Sequence, residues 1–316
     1  MSSLLVENNI VFADPVNMHQ KIAEIRRILI HTLNHEYSPF KIQNLDYVGN
    51  GVECVVFKMD IGSSKHFVVK VPWQATSAHT KNERIRARRL IEIENKVSEV
   101  VSLVEEIPVA LPIKLFHTEH LDFLITEHIE NDESTYDDKT LGKYINKLHK
   151  ISNFDVEQTF YSSNLNLSQR IVNNLKKLKS LASLNYRIPS DEVVKGVLFN
   201  QNLKQSLLHM DIRPANVLSK NNEIVGLIDW TNYLIGDPGL EFIRIDEYDL
   251  LSKELLVGYG DIGVITKLPL PLQLLYRLDT VSMLALVFIE DAPDVVEAKK
   301  KITRLETLMN KLMEVI

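Results

Sequence analysis

Asp211, Asn216 and Asp229 stand at a spacing that suits the handling of phosphates. In His209-Met-Asp211-Ile-Arg-Pro-Ala-Asn216, Asp211 and Asn216 are five residues apart with Pro214 between them. Asp229 follows the apolar run 224–228. Moving a phosphoryl group asks little covalent chemistry of a protein; it asks for positioning and neutralisation of charge. A carboxylate must take the proton of the attacking hydroxyl. Magnesium, which prefers hard oxygen ligands such as Asp carboxylate and Asn carbonyl, must bridge the donor's phosphates. A tight loop around Pro214 would aim Asp211 and Asn216 the same way, and a hairpin through 217–228 would return Asp229 beside Asn216. Each residue alone would be an ordinary loop residue; the ordered set with an intervening hairpin is much harder to obtain by chance.

The elements that must carry these groups follow from the apolar pattern. Ile22, Ile25, Leu29 and Leu33 recur at helical spacing. Strands are expected at 45–48 and 52–59, flanking Gly49-Asn50-Gly51, and again at 67–71 after a turn at 61–65. A charged helix spans roughly 80–103. A hairpin is expected over 113–117 and 121–128, then a polar, acidic linker over 129–134. Beyond it, helices are marked by Leu141, Ile145 and Leu148, by Ile171, Leu175 and Leu178, and by Val193, Val194, Val197 and Leu198. Helical spacing returns from Leu250, pauses at Pro269 and Pro271, and runs to the end. The expected fold is α+β, with a small antiparallel β-sheet lobe carrying a helix over 1–129 and a larger, mainly helical lobe over 130–316.

The bulk numbers exclude several classes. The 316 residues are 45% hydrophobic and 25% charged, an ordinary globular balance. A net charge of −6 argues against nucleic acid or an anionic membrane as partner, since both select basic surfaces. The single cysteine, Cys54, rules out an intrachain disulfide and suits a reducing compartment. The N-terminus lacks a basic region followed by an apolar core, and the apolar stretch 281–289 is short for a bilayer. The location read from this is cytoplasmic.

The stretch Leu208-His-Met-Asp-Ile-Arg-Pro-Ala-Asn-Val-Leu218 resembles the catalytic loop of the aminoglycoside phosphotransferase and choline kinase superfamily. Gly226-Leu-Ile-Asp229-Trp230, with Gly236-Asp-Pro238, is similar to its metal-binding segment and the turn that follows. The resemblance implies a bilobal, protein-kinase-like fold and a kinase of small molecules. Asp211 would be the catalytic base, Asn216 and Asp229 the Mg2+ ligands, and His209 a brace of the loop. Met210 stands where the family usually has Gly, and Arg213 where it has His or Lys. Arg213 keeps a positive charge there, with planar donors instead of a point charge.

On the nucleotide side, Gly49 and Gly51 would cover phosphates with backbone N–H groups. Cys54 occupies the place of the kinase signature's third glycine. Lys70 lies inside an apolar strand, where a lysine is costly to bury unless paired. In kinases such a lysine holds the donor's phosphates and pairs with a helix glutamate. Glu92, Glu94 and Glu99 are the candidates; Glu94 fits best, because it precedes the apolar face of Val97, Val100 and Val101. The backbone of Glu127 and Ile129 would hold the purine of ATP or GTP. His149 reads as core structure.

The acceptor implied is a small, hydroxyl-bearing molecule, cationic or neutral, with an aminoglycoside-type antibiotic favoured. Choline, ethanolamine, macrolides, homoserine and sugars are alternatives. The acidic segment 241–249 would bind an amine by charge-assisted hydrogen bonds. A protein kinase would carry a long activation segment and an Ala-Pro-Glu sequence, and neither is present. A nucleotide-binding pseudokinase would be expected to lack a member of the set Lys70, Asp211, Asn216 and Asp229.

Overall fold

A computed structural model describes residues 5–7, 10–12, 18–36, 42–62, 65–76, 79–104, 106–151, 164–199 and 204–316. In chain order the elements begin with β1 (Leu5–Glu7), β2 (Ile10–Phe12), α1 (Met18–Glu36), β3 (Ile42–Asn50), β4 (Cys54–Ile61), β5 (Lys65–Pro72) and α2 (Lys81–Ser102). Next come β6 (Pro112–His117), β7 (Asp122–Glu127), α3 (Asp138–Leu148), α4 (Asn164–Leu181) and α5 (Asp191–Phe199). The remainder is β8 (Ser206–Leu208), β9 (Val217–Lys220), β10 (Glu223–Leu227), β11 (Leu234–Gly236), α6 (Pro238–Glu247), α7 (Lys253–Tyr259), α8 (Leu270–Leu286) and α9 (Val295–Val315). The turn expected at 61–65 lies partly outside the described residues.

The chain forms two compact units, and neither is one continuous stretch. A sheet unit holds Val16–Asp137 and Pro214–Asn232; a helical unit holds Met1–Pro15, Asp138–Arg213 and Tyr233–Ile316. A single cut after residue 129 does not produce this division, because the hairpin β9–β10 is bonded into the sheet unit. Leu227 N–H donates to Pro108 O at 2.8 Å, and Asp132 N–H donates to Ser219 O at 2.9 Å. The acidic stretch expected as a linker is stitched along that hairpin. Asp132 accepts the Asn221 N–H at 3.0 Å, and such bonds hold its carboxyl down to about 2. Asn221 and Asn222 both have positive φ (52° and 64°), as a two-residue hairpin turn requires.

In the sheet unit, five antiparallel strands run in the order β3–β4–β5–β7–β6. Alternation of side chains puts Val55, Phe57, Val69 and Val71 on one face, where they pack in one core with Ile25 and Leu29 of α1. Lys70, paired across from Val56, therefore points to the other face. Helix α2 starts with a reciprocal cap. The Thr80 hydroxyl accepts from Glu83 N–H, and the Glu83 carboxylate accepts from Thr80 N–H at 2.8 Å. In β7, Asp122 is fully buried and takes Arg88 of α2 at 3.1 Å and His117 at 3.2 Å.

In the helical unit, the expected helices appear with their apolar stripes inward; Ile171, Leu175, Leu178, Val194 and Leu198 are all buried. Helices α3 and α7 approach so closely that a Cβ at Gly142 would lie 2.1 Å from Leu255 O, and one at Gly258 2.0 Å from Lys139 O. The short strands β8 and β11 pair antiparallel, Leu208 opposite Leu234, and bracket the loop that carries Asp211. Helix α8 runs on into a π-helical turn, Val287–Asp291. The segment Leu270–Asp291 is long and apolar enough to cross a membrane, but 67% of its most apolar window is buried inside the unit, as in a core helix.

Candidate functional site

In the sheet unit, three of the expected site residues meet. Lys70 Nζ contacts a Glu94 carboxylate oxygen and lies 2.7 Å from Asp229 Oδ1. The other candidates on α2 bind elsewhere: Glu92 faces His117 Nε2 at 3.3 Å, and Glu99 accepts from Asn95 at 2.8 Å. One cation thus serves two carboxylates. Burial would strip the Lys70 proton, but Glu94 and Asp229 overcome it and hold the lysine charged. Glu94 is pushed above its ordinary value, by burial first and then by the like charge of Asp229, against the pull of Lys70. Cys54, buried beside them, has its thiol pushed up by desolvation.

Asn216 closes a 3-10 turn, Pro214–Asn216, and is buried. Its carbonyl accepts the Ile228 N–H at 3.1 Å, so the hairpin does return the residue before Asp229 to Asn216. Asp229 adopts a left-handed backbone (φ 67°), which Asp tolerates better than bulkier residues, and also accepts from Thr231 Oγ1 at 2.9 Å. The oxygen donors of Asn216 and Asp229 suit magnesium, which takes few protein ligands and completes its shell with water and phosphate oxygens.

The glycine loop is anchored. Gly51 N–H donates to Cys54 O at 2.9 Å, and the Trp73 indole N–H donates to Gly51 O at 3.1 Å. Neither Gly49 nor Gly51 has positive φ, and a Cβ at either would meet no described atom within 4 Å. The turn itself therefore does not demand glycine; the Gly51 N–H is already spent on Cys54 O, contrary to its expected role as a phosphate donor, and what the glycines leave is room for a ligand's close approach. Glu127 ends β7, and its N–H is occupied by Leu111 O at 2.9 Å, so only its carbonyl suits a purine amino group. Ile129 lays its side chain over Gly226, where an added Cβ would be 2.6 Å from Ile129 Cδ1.

In the helical unit, Asp211 is held on both oxygens. Tyr248 O–H donates to Oδ1 at 3.1 Å, and Arg213 Nε donates to Oδ2 at 3.2 Å. His209 is buried and braces the loop, its Nδ1 accepting the Asp211 N–H at 3.3 Å. Met210 keeps a positive φ (64°), which a glycine would adopt at no cost. Its N–H donates to Glu241 Oε1 at 2.6 Å, while His149 Nε2 lies 2.7 Å from Oε2. These donors hold the Glu241 carboxyl below its ordinary value although burial opposes them. His149 is core structure, with Tyr259 hydroxyl 3.1 Å from its Nδ1.

The acidic segment 241–249 differs from the amine-binding surface expected of it. Glu241 is 1% exposed. Arg277 binds both Asp246 at 2.6 Å and Glu247 at 2.5 Å, and Arg304 binds Glu247 at 2.8 Å. Of its acids, Asp249 alone is exposed. Sequence reading also left Tyr248 and Arg244 without a role; their only signal was a spacing of four on one helix.

Residues 48–252, well over half of the chain, match the model of the APH phosphotransferase enzyme family. No curated protein sequence matches the chain. Among solved structures, a putative fructosamine-3-kinase from Haemophilus somnus 129PT superposes with a TM-score of 0.63 at 14% identity, covering 86% of this chain and 92% of that one. APH(2")-IIa, solved with streptomycin and ATP, gives 0.56 at 17%, covering 89% and 95%. APH(2")-IIIa, solved with GDP and kanamycin, gives 0.60 at 15%, covering 90% and 98%. The fold is the α+β, bilobal, protein-kinase-like one. The chain belongs to the phosphotransferase enzyme family and is a small-molecule phosphotransferase.

Proposed function

We propose that the protein moves the γ-phosphoryl group of ATP or GTP to a hydroxyl of a small molecule. Asp211 takes the acceptor's proton as the acceptor oxygen bonds to phosphorus. The bond from phosphorus to the bridging oxygen breaks, and its electrons leave with the nucleoside diphosphate. Asn216 and Asp229 would hold Mg2+, which would supply neutralisation of charge on the phosphates. Lys70, steadied by Glu94, holds the donor's phosphates; the turn at Gly49 and Gly51, free of side chains, lets them approach closely. The Glu127 carbonyl and the Ile129 backbone receive the purine. In this reading residues 1–129 serve chiefly the nucleotide, 130–316 the catalytic base and the acceptor, and the protein works in the cytoplasm.

The observation that carries the reading is the sharing of Lys70 between Glu94 and Asp229. A lysine, a helix carboxylate and a loop carboxylate from three distant stretches have little structural reason to converge, since a well-packed apolar cluster would be at least as stable.

An aminoglycoside-type antibiotic is the first acceptor to test. The ion pairs of Asp246 and Glu247 favour a second reading, an acceptor with little positive charge such as a sugar or a macrolide. Nucleotide consumption with ATP and GTP, run against aminoglycosides, macrolides, choline, ethanolamine, homoserine and sugars, separates these readings; product mass should show one added phosphoryl group. Asp211→Asn should lower turnover about 10²–10⁴-fold while nucleotide affinity persists. Full turnover in that variant would remove the assignment.

A further inference from the structure

Arg244 lies inside the helical unit, 6% exposed. A buried guanidinium needs partners, and two are at hand. Its guanidinium faces the phenol oxygen of Tyr248, the residue that caps α6 four positions further on, and its Nη2 lies 3.6 Å from Met283 Sδ. Burial pulls its proton affinity down; the Tyr248 oxygen, Asp279 and Asp211 more than restore it. Asp279 is fixed in turn by Arg170 through two parallel bonds of 2.7 Å.

These contacts settle the direction of one proton. A guanidinium has donors and no acceptor, and a phenol has a single proton. The Tyr248 proton therefore has no place toward Arg244 and is directed at Asp211 Oδ1, 3.1 Å away. The two Asp211 oxygens are thereby made unequal. Oδ1 is held from the interior by a neutral donor that is itself oriented; Oδ2 is held by Arg213, whose side chain is 46% exposed.

We infer that Tyr248, oriented by Arg244, is a positioning residue for Asp211, fixing the carboxylate so that it meets the acceptor hydroxyl in one orientation. This rests on the reading of Asp211 as the base. A tyrosine serving packing alone would need its ring and not its proton.

Tyr248→Phe keeps the ring and removes the proton. Turnover should fall about 10- to 100-fold, as when a reacting group loses its alignment. Nucleotide KM should stay within about twofold of the parent, since the loss lies in the chemical step. Arg244→Gln leaves Tyr248 in place but offers its proton a carbonyl oxygen, and should lower turnover in the same direction. The rates are read with kanamycin and, separately, as nucleotide hydrolysis with water in the acceptor's place. The double variant Asp211→Asn/Tyr248→Phe should be no slower than Asp211→Asn alone, because Tyr248 acts through Asp211. Parental turnover in Tyr248→Phe, or losses that multiply in the double variant, would overturn the inference while leaving Asp211 as base. Full turnover in Asp211→Asn would overturn both.

Discussion

Glu94 in the sheet unit and Glu241 in the helical unit are both withdrawn from water, yet their surroundings push their carboxyl groups in opposite directions. Glu94 faces a cation, but that cation is divided with Asp229, so two negative charges lean on one positive charge. Glu241 faces a backbone N–H and an imidazole, each bonded to one of its two oxygens. Burial raises both groups; for Glu94 the pull of Lys70, divided with Asp229, does not outweigh it, whereas for Glu241 the imidazole and backbone donors do. The first arrangement suits a site whose charge is to be completed by a ligand, the second a brace that is already complete.

Removing the shared donor tests the contrast most severely. Lys70→Met leaves Glu94 buried opposite Asp229 with no cation between them. Unfolding free energy should drop by about 3 kcal/mol, the low end for a broken buried pair because Asp229 is partly exposed. Nucleotide KM should rise with it. Denaturant titration and nucleotide saturation read the two effects; unchanged stability would mean that water already screens the triad.

On the Glu241 side the donor is the backbone of Met210, and two opposing terms meet there. A left-handed conformation costs a side chain about 1–2 kcal/mol, which glycine would escape. The Met210 side chain is 1% exposed in the core of the helical unit, and deleting such a side chain costs about 2–5 kcal/mol. Burial wins, so Met210→Gly should destabilise the protein by roughly 2 kcal/mol despite relaxing its backbone. A stabilised variant would show that strain outweighs packing in this loop.

The smallest effect is the sign of two pH slopes. Glu241 has a depressed folded value, so its stabilisation is complete above its ordinary 4.5 and is lost as pH falls through the lower folded value. Glu94 has a raised folded value, so the folded state binds more protons, and stability declines as pH climbs from 4.5 through that value. Glu241→Gln should remove the acid-side loss, and Glu94→Gln the decline above it. Parallel slopes in the two variants would erase the distinction between the two sites.

Much of this arrangement was legible in the order of residues. The helical stripe Ile25, Leu29, Leu33 and the alternation of Val55, Phe57, Val69 and Val71 announce elements whose period is set by burial. The hairpin carrying Asn216 and Asp229 was visible because turn residues separate two apolar runs. Strands β8 and β11 were not, since three residues are too few to show an alternation. The acidic segment was misread for a different reason. Charge on a sequence does not display its partner, and Arg277 and Arg304 stand 30 and 57 residues from Glu247. Glu94 emerged from three candidates by its place on the buried face of α2; Tyr248 had no such mark, because its importance lies in a proton whose direction depends on Arg244.

Lys70 and Asp229 are 159 residues apart, and Asp138–Arg213 between them belongs to the other unit. This interleaving sets an order of events during synthesis. A growing chain that has reached residue 213 carries every strand of the five-stranded sheet but neither the hairpin nor Asp229. Chains fold from the N-terminus as they emerge, so Lys70 and Glu94 wait as an incomplete pair while much of the helical unit is made. The long loop that must close before Asp229 arrives slows this last contact. A fragment ending at residue 129 would accordingly lack a carboxylate of its own ion triad.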